Sequence, residues 1–117
     1  MANADVVSLH LPLTDGTRGL LDPQMIARMK KGAVLINTAR GGIIDEDAVV
    51  ESLRAGHLAG AALDVFAAEP VMATAGARFS GVSNLVLTPH IAGVTQESNV
   101  RVSAVTADNV RKVLRKQ

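Results

Sequence analysis

Hydrophobic residues follow two patterns along this chain. Some form short unbroken runs, and others recur every three or four positions between polar residues. Val6-Val7-Ser8-Leu9-His10-Leu11 is a β-branched run closed by Pro12, which predicts a strand. Thr14-Asp15-Gly16-Thr17 is turn chemistry. Asp22-Pro23 then opens a helix, with Asp22 as N-cap and the proline in the first turn, where a missing N–H costs little. Met25, Ile26 and Met29 share one face of it, and Gly32 is placed to end it in a left-handed conformation. Ala33-Val34-Leu35-Ile36-Asn37 is continuous and apolar, the pattern of a central parallel strand.

The same sequence of habits repeats. Asp45 can cap a second helix, with Glu46 and Asp47 adding negative charge to its first turn. Val49, Val50 and Leu53 supply its buried face, and Gly56 ends it. Ala59 to Val65 predicts another buried strand. Residues 67–84 carry no clear period and predict a loop with room for one short helical turn. Leu85-Val86-Leu87 is a short strand stopped by Pro89. A long helix follows from Thr95, with Val100, Ala104, Ala107 and Leu114 on one face and Arg111, Lys112, Arg115 and Lys116 at the negative end of its dipole. The order β-α-β-α-β-loop-β-α predicts an α/β chain with a parallel sheet and right-handed crossovers.

Composition narrows the class. Of the 117 residues 48% are apolar, yet Phe66 and Phe79 are the only aromatics, so Val, Ile, Leu and Ala must fill the core, as in parallel strands covered by helices. Twelve Lys+Arg against eleven Asp+Glu leave a net charge of +1, which offers no general basic field for nucleic acid. Zero cysteines exclude a disulfide scaffold and a thiolate metal site, and suit a reducing compartment. No run approaches the roughly 20 apolar residues of a membrane span, and no basic region precedes an apolar one at the N-terminus. The expectation is a soluble, cytoplasmic chain with neither membrane nor nucleic acid as partner.

In an open parallel sheet, ligands bind outside the carboxyl ends of the strands. The polar residues at those ends are Pro12 and Thr14, then Thr38-Ala39-Arg40-Gly41-Gly42, then Asp64, and finally His90 with Gly93. Each group follows a different predicted strand, so all should gather along one rim. Arg40 can fork a carboxylate with two parallel bonds, or be a plain surface arginine. Gly41-Gly42 either lets a ligand approach the backbone or makes a turn. His90 can move a proton near neutral pH if a carboxylate such as Glu69 holds it, or can be a hydrogen-bonded loop histidine. Asp64 is a cofactor contact or a cap on backbone N–H groups. His10 and His57 are expected to be structural. Metal binding is not expected, because no histidines stand at helical i, i+4 spacing. Neither a G-x-x-x-x-G-K-[ST] loop nor a G-x-S-x-G elbow is present.

These residues carry a resemblance. Ala4-Asp5-Val6-Val7-Ser8-Leu9-His10-Leu11-Pro12-Leu13-Thr14, Met29-Lys30-Lys31-Gly32-Ala33, Ile36-Asn37-Thr38-Ala39-Arg40-Gly41, Ala62-Leu63-Asp64-Val65-Phe66, Glu69-Pro70 and Thr88-Pro89-His90-Ile91-Ala92-Gly93 appear in that order and cover nearly the whole chain. The series resembles the second half of the NAD-binding domain of D-isomer-specific 2-hydroxyacid dehydrogenases, a family that includes phosphoglycerate, glycerate, hydroxypyruvate and formate dehydrogenases. The resemblance implies a partial Rossmann-type, doubly wound parallel sheet across residues 1–117. It implies reversible hydride transfer between NAD or NADP and a small 2-hydroxy or 2-oxo acid. Arg40 would bind the substrate carboxylate and polarise the carbonyl. His90 would protonate the carbonyl oxygen, and Glu69 would hydrogen-bond His90 and favour its protonated form. Pro12, Thr14, Thr38, Ala39, Arg40, Asp64, His90 and Gly93 would line the nicotinamide and ribose side of the cofactor.

The dinucleotide fingerprint G-x-G-x-x-G is absent from these residues, as are the family's substrate domain and the segment through which its members dimerise. The expectation is therefore a fragment whose NAD affinity collapses and which is inactive as an isolated chain. Two alternatives belong to other classes. One is an NAD-sensing corepressor, as some relatives of this family are. The other is a self-associating module, because half a sheet leaves a strand edge and apolar faces that a homo-oligomer would cover.

Overall fold

The computed structural model describes residues 1–115, so Lys116 of the expected basic helix end lies outside the described residues. The apolar runs form four strands, β1 (Val6–Leu9), β2 (Val34–Asn37), β3 (Gly60–Leu63) and β4 (Leu85–Leu87). They pair in chain order, all parallel, in one four-stranded sheet. The register sets Val6 beside Val34, Val34 beside Gly60 and Ala61 beside Leu85. All four carboxyl ends therefore lie along one edge, and the partial Rossmann-type sheet expected from the sequence is what forms.

The connections follow the capping signals. Helix α1 (Pro23–Ala27) starts at Asp22, whose carboxylate accepts the Met25 N–H at 2.7 Å. It is shorter than the spacing suggests: Met29 N–H turns back to Ile26 O at 3.0 Å and tightens the chain out of the helix. Gly32 is left-handed, with φ 84°, but it acts later than expected. It turns the chain into β2 while its N–H donates to His57 O at 2.7 Å. Helix α2 (Glu46–Arg54) runs as expected from the Asp45 cap, which accepts Ala48 N–H at 2.9 Å. It ends in a Schellman motif, with Gly56 at φ 68°, Gly56 N–H on Leu53 O and His57 N–H on Ser52 O. The aperiodic loop holds a single helical turn, α3 (Ala73–Gly76), continued by a 3-10 turn at Ala77–Phe79. The long α4 spans Gln96–Leu114.

Burial alternates along β2 and β3. Leu35, Asn37, Ala61 and Leu63 face α1 and α2 and are buried, as are Ile26, Val49, Val50, Leu53 and Leu58 around them. Each fully buried leucine contributes about 1.5–3 kcal/mol of transfer free energy. On the other face Val34, Ile36 and Ala62 are half-buried, and Val6 and Val86 are exposed. Among the described residues helices cover one face of the sheet. Helix α4 covers neither: Val100, Val102, Val105, Val110, Val113 and Leu114 are all exposed, and the molecule is elongated, 59 Å in its longest dimension. No helix of the described residues is long and apolar enough to cross a membrane.

Candidate functional site

The densest polar constellation stands at the carboxyl ends of β3 and β4. Asp64 follows β3 directly, where its backbone stays in the ladder by donating to Asn37 O at 3.0 Å. Its Oδ1 accepts two donors from the next strand's exit, the Thr88 hydroxyl and the His90 N–H at 3.1 Å. Asp64 thus caps nearby donors, one of the two roles open to it. It holds His90 in a left-handed backbone conformation, φ 53°, which costs a residue with a Cβ roughly 1–3 kcal/mol.

The His90 ring is held separately. Its Nδ1 lies 3.1 Å from Glu69 Oε2, while Glu69 Oε1 accepts the Phe66 N–H at 2.9 Å. Both side chains remain partly open to solvent. The Phe66 N–H and then the His90 ring favour the charged carboxylate, so Glu69 titrates below its ordinary value. With Nδ1 facing Glu69, Nε2 is the nitrogen free to meet a ligand. Beside the pair is a cleft of about 710 Å³, lined by Phe66, Val71, Phe79 and Leu87 as well as Glu69 and His90.

Arg40 sits on the neighbouring loop after β2. Asn37, fully buried, ties this loop down: its Nδ2 donates to Arg40 O at 3.1 Å and its Oδ1 accepts Ala39 N–H at 3.1 Å. Among the described residues the exposed guanidinium bonds only the Ala39 carbonyl, at 2.7 Å, which leaves its other donors for a ligand. Thr38 is exposed on the same loop. Gly41 lies in the turn that follows Arg40, and close packing there requires a glycine. A Cβ there would stand 1.8 Å from Phe66 O, so the Arg40 loop and the Phe66–Glu69 segment pack backbone against backbone. Gly42 supplies the turn, at φ 78°.

Pro12 and Thr14 lie after β1, in a turn closed by Thr17, whose hydroxyl donates to Pro12 O at 2.8 Å and accepts Thr14 N–H at 2.7 Å. Gly93 lies beyond His90 with open space where a Cβ would stand. All the predicted rim residues thus reach one edge, and the structure brings Asp64, Glu69 and His90 into direct contact, while Arg40, Pro12 and Thr14 stand on adjacent loops. His10 bonds Ser8 Oγ at 2.8 Å through Nε2, and His57 follows α2, both outside the constellation. Sequence reasoning missed Asn37, Thr88 and Glu46. Asn37 had one usable signal, an amide at the end of an otherwise apolar run. Among the described residues no group of three or more potential metal ligands converges.

Comparison with known proteins points the same way. The model of the D-isomer specific 2-hydroxyacid dehydrogenase NAD-binding domain matches residues 1–92. The chain is 59% identical over 114 residues to a (S)-sulfolactate dehydrogenase of Chromohalobacter salexigens, covering 97% of this chain and 36% of that protein. It is 44% identical over 110 residues to a D-3-phosphoglycerate dehydrogenase of Bacillus subtilis, covering 94% and 20%. A crystal structure of D-lactate dehydrogenase from Aquifex aeolicus, complexed with NAD and lactic acid, superposes with a TM-score of 0.85 at 31% identity, covering 98% of this chain and 38% of that one. The chain spans little more than a third of the length of these relatives, or less.

Proposed function

Because this chain belongs to the D-isomer specific 2-hydroxyacid dehydrogenases, through their NAD-binding domain, we propose that it carries the proton-transfer and carboxylate-binding side of a site that interconverts a 2-hydroxy acid and a 2-oxo acid. The observation that carries the proposal is the Glu69–His90 contact, 3.1 Å, at the carboxyl edge of a parallel sheet. The open space at Gly93 and the exposed hydroxyls of Thr14 and Thr38 on that edge suit a nicotinamide ring and its ribose. NAD(H), when bound, supplies or accepts the hydride. His90 gives a proton from Nε2 to the carbonyl oxygen during reduction and takes it back during oxidation. Glu69 keeps Nδ1 engaged and so fixes the ring's orientation. Arg40, with its outward donors, forks the substrate carboxylate and draws charge from the adjacent carbonyl. The substrate class is a short 2-hydroxy acid; the sulfolactate and phosphoglycerate relatives act on acids with a second anionic group.

The 117 residues contain no G-x-G-x-x-G turn to hold a pyrophosphate. Alone they are proposed to bind NADH weakly and to turn nothing over. A graft tests the chemistry: residues 1–114 of this chain replace the matching segment of the sulfolactate dehydrogenase. The hybrid is expected to oxidise a 2-hydroxy acid with NAD, and His90→Asn within it to lose roughly 10²–10⁴-fold in kcat. A folded hybrid that binds NADH and is indifferent to His90→Asn sinks the proposal. For the isolated chain, saturable micromolar binding in an NADH fluorescence titration would refute the weak-binding part.

The uncovered sheet face with Val6, Val34, Ile36, Ala62 and Val86 supports a homo-oligomer. Light scattering at micromolar concentration is expected to give more than the monomer mass, and a clean monomer refutes self-association.

A further inference from the structure

Glu46 is buried more deeply than its place in the chain explains. It is the first residue of α2, where a carboxylate is favoured by the helix dipole but is ordinarily solvated. Here it is 7% exposed and reaches into the loop after β3. Its Oε1 accepts the Ala67 N–H at 2.6 Å, and its Oε2 stands 3.6 Å from Arg78 Nη1. Arg78 is itself fixed, with Nε on Ala75 O at 3.0 Å and Nη1 3.3 Å from Asp47. A buried carboxylate without such partners would be strongly unfavourable.

Ala67 follows Phe66, whose N–H goes to Glu69 and whose carbonyl is pressed by Gly41. The Phe66–Ala67 peptide is thus gripped from one side by the Arg40 loop and from the other by Glu46. Glu69, two residues further on, has its own carboxylate divided between that peptide run and the His90 ring. We propose that Glu46 is a positioning residue, which pins the Phe66–Ala67 peptide and through it aligns the Glu69 carboxylate with the His90 ring. It touches no reacting atom. The inference rests on the proposed role of the Glu69–His90 pair, and its readouts need neither cofactor nor turnover.

Amide hydrogen exchange and a ¹³C carboxyl titration of Glu69, both by NMR on the chain itself, test it. In the unsubstituted chain the Ala67 amide is expected to exchange at least about tenfold more slowly than that of Ala68. Glu46→Leu is expected to abolish that protection and to move the Glu69 titration back up toward its ordinary value of 4.5. Glu46→Gln keeps an acceptor oxygen for Ala67 and is expected to retain most of both effects. Asp22→Ala removes the remote α1 cap; it should lower stability and leave the Glu69 titration in place. Equal exchange at Ala67 and Ala68 in the unsubstituted chain overturns the proposal, a result that stands even where Glu46→Leu does not fold. So does a folded Glu46→Leu chain with an unmoved Glu69 titration. An inactive graft hybrid with these NMR results intact would fault the proposed chemistry and leave the positioning network standing.

Discussion

Two loops at the carboxyl edge each run into a capped helix, and the helices fare differently. Past Arg40, Asp45 caps α2, whose Ala48, Val49, Val50 and Leu53 are buried. Past His90, Thr95 caps α4 in the same way, accepting Ser98 N–H at 3.0 Å, with Glu97 in the first turn and an Asp108–Lys112 pair at 2.7 Å. Yet the apolar residues of α4 are exposed throughout. Capping and an i, i+4 pair worth about 0.3–0.5 kcal/mol give a helix its ends. Most of a helix's stability in a protein comes from a packed apolar face and not from its caps. The consequence reaches the site. The Arg40 loop is clamped between packed elements. The His90 loop, followed among the described residues by a helix whose apolar residues are exposed, depends on two carboxylates, Asp64 on its backbone and Glu69 on its ring.

The contrast breaks most sharply at equivalent leucines. Leu53→Ala is expected to cost about 2–5 kcal/mol in urea denaturation, since it opens a cavity beside the sheet. Leu114→Ala, at a residue 64% exposed, should stay within about 0.5 kcal/mol. Similar losses would mean that α4 is buried in solution, against a second copy or another surface.

Asp64→Ala comes next. It strips the acceptor from the Thr88 hydroxyl and the His90 N–H and is expected to cost about 1–3 kcal/mol. His90 should also relax from its left-handed conformation, and NMR should then lose the ring's contact with Glu69. Persistence of that contact would show that Glu69 alone holds the loop. The two caps sharpen the comparison at smaller scale. Asp45→Ala is expected to lower global stability by about 1 kcal/mol. Thr95→Ala should reduce far-ultraviolet helicity and leave the denaturation midpoint unmoved, because α4 unfolds without disturbing the sheet.

Much of this was legible because local chemistry decides it. The runs at Val6, Ala33, Ala59 and Leu85 became strands in the expected order, and Asp22 and Asp45 became caps. The rim residues were legible because a parallel sheet puts every strand exit on one edge, and the family resemblance singled out Glu69 as the partner of His90. The remainder depends on partners remote in the chain. Glu46 looked like ordinary first-turn charge because its partner Ala67 lies 21 residues on, in an aperiodic loop. Gly41 reads as a turn glycine or a ligand approach, and no residue pattern signals that the Phe66 carbonyl packs against it. The periodicity of α4 marks an apolar face and is silent on what covers it.

The smallest expected effect concerns pH and falls on the weaker-held loop. The Glu69 carboxyl titrates below its ordinary value of 4.5, first because it accepts the Phe66 N–H and then because it faces the His90 ring. A group whose folded value lies below its unfolded one adds stability that is fully present above the unfolded value and is lost as pH falls through the folded one. The Glu69 contribution should therefore be intact at neutral pH and fade as acid is added below 4.5. Glu69→Gln removes the titration, so the difference in urea midpoint between it and the unsubstituted chain should shrink across that acid window and stay constant above it. A difference that instead changed between about pH 6 and 8, where an unperturbed histidine titrates, would assign the linkage to the ring and make His90 the group that governs the loop.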